Sequence, residues 1–144
     1  TVPRAEVQRR DGYGLLGALP PRERRGLVLV DPPFERADEF DAARAFIISA
    51  AKRYAGGVFA LWYPLKNPHA AAHALRCLAR DCRQPLLDFE LDVGHRGDGR
   101  MHACGLAVLR APWRLEETAR PALDELAALL SPRAKASSRT VAFP

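Results

Sequence analysis

Asp31-Pro32-Pro33-Phe34 is the sharpest chemical signal in the chain. With proline near 5% of residues, an Asp-Pro-Pro-aromatic string arises by chance in roughly one chain of this length in a few hundred. Two successive prolines stiffen the backbone and remove two N–H donors. A carboxylate and outward carbonyls remain, an acceptor-rich site that suits a planar amino group with hydrogens to donate. Phe34 offers an aromatic face to a base, a contact worth about 1–3 kcal/mol. The same string also reads as a rigid strand exit, with Asp31 capping a turn and Phe34 in the core.

Other side chains carry weaker signals. Asp11-Gly12, taken alone, is a plain turn. His69, His73 and Cys77 fall at i, i+4 and i+8 of one helical stretch, a spacing that can present metal ligands. An Ala-rich helix with incidental polar residues accounts for them better, and no metal site is expected. Tyr63 closes an apolar run and serves either a pocket or packing. His95 and His102 flank a polar turn and read as exposed. Asp38, Glu39 and Asp41 read as a helix start. Arg24, Arg25, Arg36, Arg96 and Arg100 either meet phosphates or form a solvated surface. Gly-x-Ser-x-Gly, zinc-finger spacing and a phosphate-binding Gly-Lys motif do not occur.

The elements that must position these residues follow from the apolar pattern. Leu27 to Val30 is a short apolar run between a polar turn (residues 21–26) and Asp31-Pro32-Pro33, and reads as a buried strand of a parallel sheet. Phe40, Ala43, Phe46, Ile47, Ala50, Ala51 and Tyr54 recur at helical spacing within Asp38 to Ala55. Val58 to Tyr63 is a second buried strand. Asn67-Pro68 caps a second helix that runs to about Cys82. Leu86 to Val93 and Ala103 to Leu109 are strands of a hairpin around the turn from Gly94 to Arg100. A last helix spans Leu115 to Leu130, with Pro121 near its start or at a kink. After Pro132 a loose tail is expected, with a short edge strand over Thr140 to Phe143 as the alternative. The order strand, helix, strand, helix, strand, strand, helix predicts an α/β fold with a parallel sheet, right-handed crossovers and a terminal hairpin. Ligands of such sheets sit at the carboxyl ends of the strands, where Asp31 and Tyr63-Pro64 fall.

Composition bounds the rest. The chain has 144 residues, 48% hydrophobic and 27% charged, values of a globular domain rather than a disordered, collagenous or coiled-coil chain. The longest apolar run, Gly57 to Tyr63, is far below the ~20 residues that span a bilayer. The polar N-terminus lacks the apolar stretch of a signal peptide. It also lacks an initiator Met, so a piece of a longer protein is expected. A net charge of +5, carried mostly by Arg, fits a polyanionic partner without requiring one. Three Cys without zinc spacing suggest reduced thiols in a cytoplasmic protein.

Asp-Pro-Pro-[Tyr/Phe] after a buried strand resembles the catalytic motif of amino-group methyltransferases that use S-adenosylmethionine. The wider string from Arg24 through Asp31-Pro32-Pro33-Phe34 to Glu35 is similar to the RlmJ-type family of 23S ribosomal RNA adenine-N6 methyltransferases. Three stretches agree: Arg10-Asp11-Gly12-Tyr13, Ala60-Leu61-Trp62-Tyr63-Pro64, and Gly105-Leu106 leading to Pro112-Trp113. The last departs slightly, because the family has two prolines before the Trp where this chain has Ala111-Pro112.

The resemblance covers nearly all of the chain, yet family members are about twice as long. It implies that residues 1–144 are the carboxyl-terminal part of a single Rossmann-like methyltransferase domain. The Gly-rich cofactor loop, the acidic residue that holds the cofactor ribose and an inserted helical subdomain then lie before Thr1.

The resemblance further implies Asp31 as the catalytic acid, with Pro32, Pro33 and Phe34 framing and stacking the substrate. Asp11 and Gly12, with Asp31, would contact S-adenosylmethionine. It implies methylation of an adenine amino nitrogen in 23S ribosomal RNA by a cytoplasmic monomer with no membrane partner. DNA adenine methylation, a role in the use of external DNA as a nutrient, and a catalytically inactive nucleic-acid-binding fragment are the alternatives.

Overall fold

A computed structural model describes residues 7–18, 24–94 and 100–142, without the side chains of residues 16–18. A 3-10 helix at Gly12–Ala18 leads to β1 (Gly26–Val30), α1 (Glu39–Arg53), β2 (Gly57–Pro64) and α2 (Pro68–Cys82). β3 (Leu86–Asp92), β4 (Ala103–Leu109), α3 (Leu115–Leu130) and β5 (Lys135–Val141) follow. The expected order holds through α3. The tip of the β3–β4 turn, including His95 and Arg96, lies outside the described residues, as does Phe143.

Local chemistry explains the helix boundaries. Asn67 caps α2 by accepting the Ala70 N–H at 3.1 Å, and Pro68 fills the first turn, where no donor is required. α1 carries Glu39 and Asp41 in its first turn and Lys52 and Arg53 in its last, matching the helix dipole at both ends. Its C-terminal carbonyls find a partner far along the chain. The Arg110 guanidinium donates to the carbonyls of Tyr54 at 2.8 Å and Ala51 at 2.9 Å. α3 runs through Pro121.

The five strands form one sheet in the order β1-β2-β4-β3-β5. β1 and β2 pair in parallel, and β3 and β4 form the expected antiparallel hairpin, so the parallel part of the sheet is the β1–β2 pair. The connection from β2 through α2 sets β3 one position beyond β2's neighbour. The hairpin return, β4, fills that slot antiparallel to both.

The tail expected to be loose is β5, paired with β3 from Leu86↔Val141 to Asp92↔Lys135. Arg139 holds it there by donating to Asp88 at 3.0 Å and Glu90 at 2.8 Å.

The two faces of the sheet differ. On one, α1 and α2 bury Ala43, Ile47, Leu75 and Leu78 against Phe59, Leu61, Tyr63, Leu86 and Leu109. On the other, α3 covers Leu87, Phe89 and Val108 through Leu115, Ala119 and Leu123. α3 does not reach β1. Leu27 is 68% exposed and Leu29 60%, so the strand expected to be buried on both faces is a half-covered edge. Trp113, 88% exposed, stands beside this bare face, where it lines an open groove of about 760 Å³ with Leu27, Val58 and Val108. Among the described residues no helix is long and apolar enough to cross a membrane.

Candidate active site

β1 delivers its carboxyl end to the site. Val30 is buried, Asp31 exposed, Pro32 buried and Pro33 exposed, so the chain leaves the sheet with the acid turned outward. Phe34 then adopts φ of +50°, a left-handed conformation that a bulky residue holds only when its surroundings impose it. Its ring packs edge-on against Phe40 at 4.9 Å and Trp62 at 6.4 Å. The aromatic cluster therefore fixes the turn that presents Asp31.

Asp31, Pro32 and Pro33 line a cavity of about 720 Å³ together with Asp11 and Gly12. Two stretches separated in sequence thus meet at the end of one strand. Asp31 has no hydrogen bond or ion pair among the described residues, and its acceptor oxygens are open to a ligand. Phe34 is half-buried and lies outside the cavity lining.

The Asp11 carboxylate accepts the Tyr13 N–H at 3.1 Å, and the Asp11 carbonyl accepts the Gly14 N–H at 3.1 Å. The plain-turn geometry is therefore present. It does not account for the glycine: a Cβ built at Gly12 meets nothing within 4 Å among the described residues, and its φ is not positive. Neither packing nor backbone strain demands glycine there, and a flat ligand has room to approach the main chain. The donor set fits an adenosyl group. One carboxylate can accept from an exocyclic amine beside an open glycine, with apolar walls from Leu15 and Val28.

One cavity residue was not singled out for chemistry by its sequence. Glu39 is 3% exposed, the first residue of α1, and accepts the Tyr13 hydroxyl at 2.9 Å. The signal was its phase: Glu39 shares the buried stripe of Ala43 and Ile47. Burial first, then the bond to Glu39, pushes the Tyr13 phenol well above its ordinary value. Arg36 lines the same cavity and donates to Asp38 at 2.9 Å, which holds the Asp38 carboxyl below its usual range.

Tyr63 serves packing rather than the pocket. It is fully buried and donates to Asp88 at 2.8 Å. His73 and Cys77 approach to 3.6 Å on α2, and no third ligand type joins them among the described residues.

The chain is similar to known proteins over most of its length. The family described as "Ribosomal RNA large subunit methyltransferase D, RlmJ" matches residues 2–142. "Ribosomal RNA large subunit methyltransferase J" of Escherichia coli K12 is 37% identical over 131 residues, 90% of this chain and 47% of that protein. The protein of the same name from Haemophilus influenzae is 38% identical over 120 residues, 83% of this chain and 43% of its own. A crystal structure of a Legionella pneumophila protein superposes with a TM-score of 0.81 at 26% identity, covering 91% of this chain and 49% of that one. The chain spans about half the length of the curated relatives it matches. With a match over nearly its whole length, the chain belongs to the RlmJ family of ribosomal RNA large subunit methyltransferases.

Proposed function

We propose that this chain is the carboxyl-terminal part of an enzyme that methylates the N6 amino group of an adenine in 23S ribosomal RNA. S-adenosylmethionine is the methyl donor. One observation carries the reading: Asp31-Pro32-Pro33 and Asp11-Gly12 line a single cavity. The names of the relatives supply the substrate class, a large-subunit ribosomal RNA.

The adenine amino nitrogen is a poor nucleophile because its lone pair is shared with the ring. The Asp31 carboxylate accepts one of its hydrogens and the Pro32 carbonyl the other, which returns electron density to nitrogen. Neither proline offers an N–H to compete. The donor supplies an electrophilic methyl carbon on a sulfonium. The Asp31 carboxylate would stabilise the positive charge that methylation places on the nitrogen. The methylated nitrogen would then release one proton to solvent, leaving the neutral N6-methyl amine. Asp11 accepts the cofactor's adenine amine, and Gly12 admits its ring. The target base must be unstacked to enter, and the exposed part of Phe34 serves as its platform.

The bare face of β1 supports the half-domain reading. Leu27, Leu29 and Trp113 leave an apolar surface that a doubly covered sheet would bury. The upstream half of the domain covers it, and the assembled protein is a monomer.

The test is methyl transfer to unmodified 23S ribosomal RNA and to DNA. N6-methyladenosine is scored by nucleoside mass spectrometry, for the chain and for the chain extended upstream of Thr1. Asp31→Ala runs alongside each. The expected result is product on RNA that Asp31→Ala lowers by about a thousandfold. Product on DNA alone would replace the substrate. Silence of both forms would leave a nucleic-acid-binding fold and refute the enzyme reading.

A further inference from the structure

We infer that Tyr13 and Glu39 form a positioning pair that holds the Asp11–Gly12 turn in register with Asp31 and so sets the affinity for the cofactor. The inference rests on the methyltransferase reading above. Neither residue is assigned to the transfer itself.

A buried carboxylate needs a partner. Glu39 gains part of its stabilisation from the free N–H groups of the α1 N-terminus. Its side-chain partner comes from 26 residues upstream: the Tyr13 hydroxyl, 2.9 Å from Oε1. Because burial and Glu39 both raise the Tyr13 phenol, the hydroxyl keeps its proton and remains a donor at every working pH.

Tyr13 also acts through its main chain, whose N–H holds the Asp11 carboxylate at 3.1 Å. One residue therefore orients the cofactor-side acid with its backbone and ties the turn to α1 with its side chain. α1 is the element that the Asp31 loop runs into. The Tyr13 ring has an independent anchor, Phe46, with ring centres 5.7 Å apart. Removing the hydroxyl should thus leave the ring seated while the turn loses its polar tether.

The test is steady-state methyl transfer with cofactor and RNA varied separately, on whichever form, chain or upstream-extended protein, is active. Tyr13→Phe should raise KM for S-adenosylmethionine about tenfold, the scale of one hydrogen bond to a carboxylate. The value of kcat at saturating cofactor and KM for RNA should stay within about threefold. Glu39→Ala should reproduce the defect. Glu39→Gln, whose amide oxygen still accepts the phenol, should recover most of the lost affinity. The double variant Tyr13→Phe/Glu39→Ala should be no worse than either single one.

The pair's role is overturned by an unchanged cofactor KM in Tyr13→Phe, by a loss confined to kcat, or by Glu39→Gln failing as badly as Glu39→Ala. If Tyr13→Phe does not fold, the two Glu39 variants decide. If the unsubstituted protein is active and the variants keep their affinity, only the pair's role falls. If no form transfers methyl at all, the enzyme reading falls and takes the pair's role with it.

Discussion

Two aspartates, one beyond the end of edge strand β1 and one within β3, show what the fold does with a carboxylate. Asp31, at the open end of β1, is exposed and has no partner among the described residues. Asp88, in the middle of β3, is fully buried and has two: Tyr63 at 2.8 Å and Arg139 at 3.0 Å. A carboxylate without partners contributes nothing to stability and keeps its acceptor capacity for a ligand. A carboxylate with every oxygen engaged is unavailable to a ligand and ties three strands together. The first belongs to function, the second to the scaffold that holds the strand ends in place.

Substitution should separate them cleanly. Asp31→Ala should abolish transfer, an effect of about 4 kcal/mol in activation free energy, while moving unfolding free energy by less than about 0.5 kcal/mol. Asp88→Ala should do the reverse. It strands the buried Tyr63 hydroxyl and half the Arg139 contact, at a cost on the order of 3 kcal/mol in stability. Urea titration beside the methyl-transfer assay reads both. A large stability loss in Asp31→Ala would mean that the exposed acid is structural after all.

A smaller effect probes how Tyr63 reaches Asp88. The Tyr63 side chain passes over β4 at Gly105, where an added Cβ would lie 2.3 Å from the hydroxyl oxygen and 2.1 Å from the ring. Gly105→Ala should displace the ring and cost about 1–3 kcal/mol by overpacking. It should not add fully to Asp88→Ala, because both break the same bond. Full additivity in a double-mutant cycle would show that Gly105 is needed for another reason.

The same contrast explains what could be read from the sequence. Asp31 was legible because its signal is local: two prolines and an aromatic ring follow it directly after an apolar run. β2 and α2 were legible for similar reasons, the first from its continuous apolar run and the second from Asn67-Pro68. β5 was not. Lys135–Val141 is mostly polar, and its place depends on Arg139 meeting Asp88, 51 residues away. The bare face of β1 was invisible because an apolar strand has the same sequence whether or not a neighbour covers it. Glu39 lay between these cases. Its helical phase pointed inward, but its partner Tyr13 sits in a different element.

The smallest effect lies on a pH axis. Burial is the leading influence on Asp88 and holds its carboxyl above the ordinary carboxylate value, although Tyr63 and Arg139 pull it down. The folded state then keeps a proton that the unfolded chain has already released. The stability this contributes is complete below the ordinary value of about 4 and is lost as pH rises through the raised folded value. The neighbours sharpen the window. Tyr63 is driven far above its ordinary range by burial and by Asp88, so it does not titrate there. Glu90 is raised as well, by burial and then by the Asp88 charge. Asp88→Asn keeps an acceptor for Tyr63 and removes the titration. Measured by urea unfolding between about pH 4 and 8, wild type should lose stability relative to Asp88→Asn as pH rises. The opposite slope would mean that Arg139 outweighs burial, and that Asp88 is held as an ordinary salt-bridged anion.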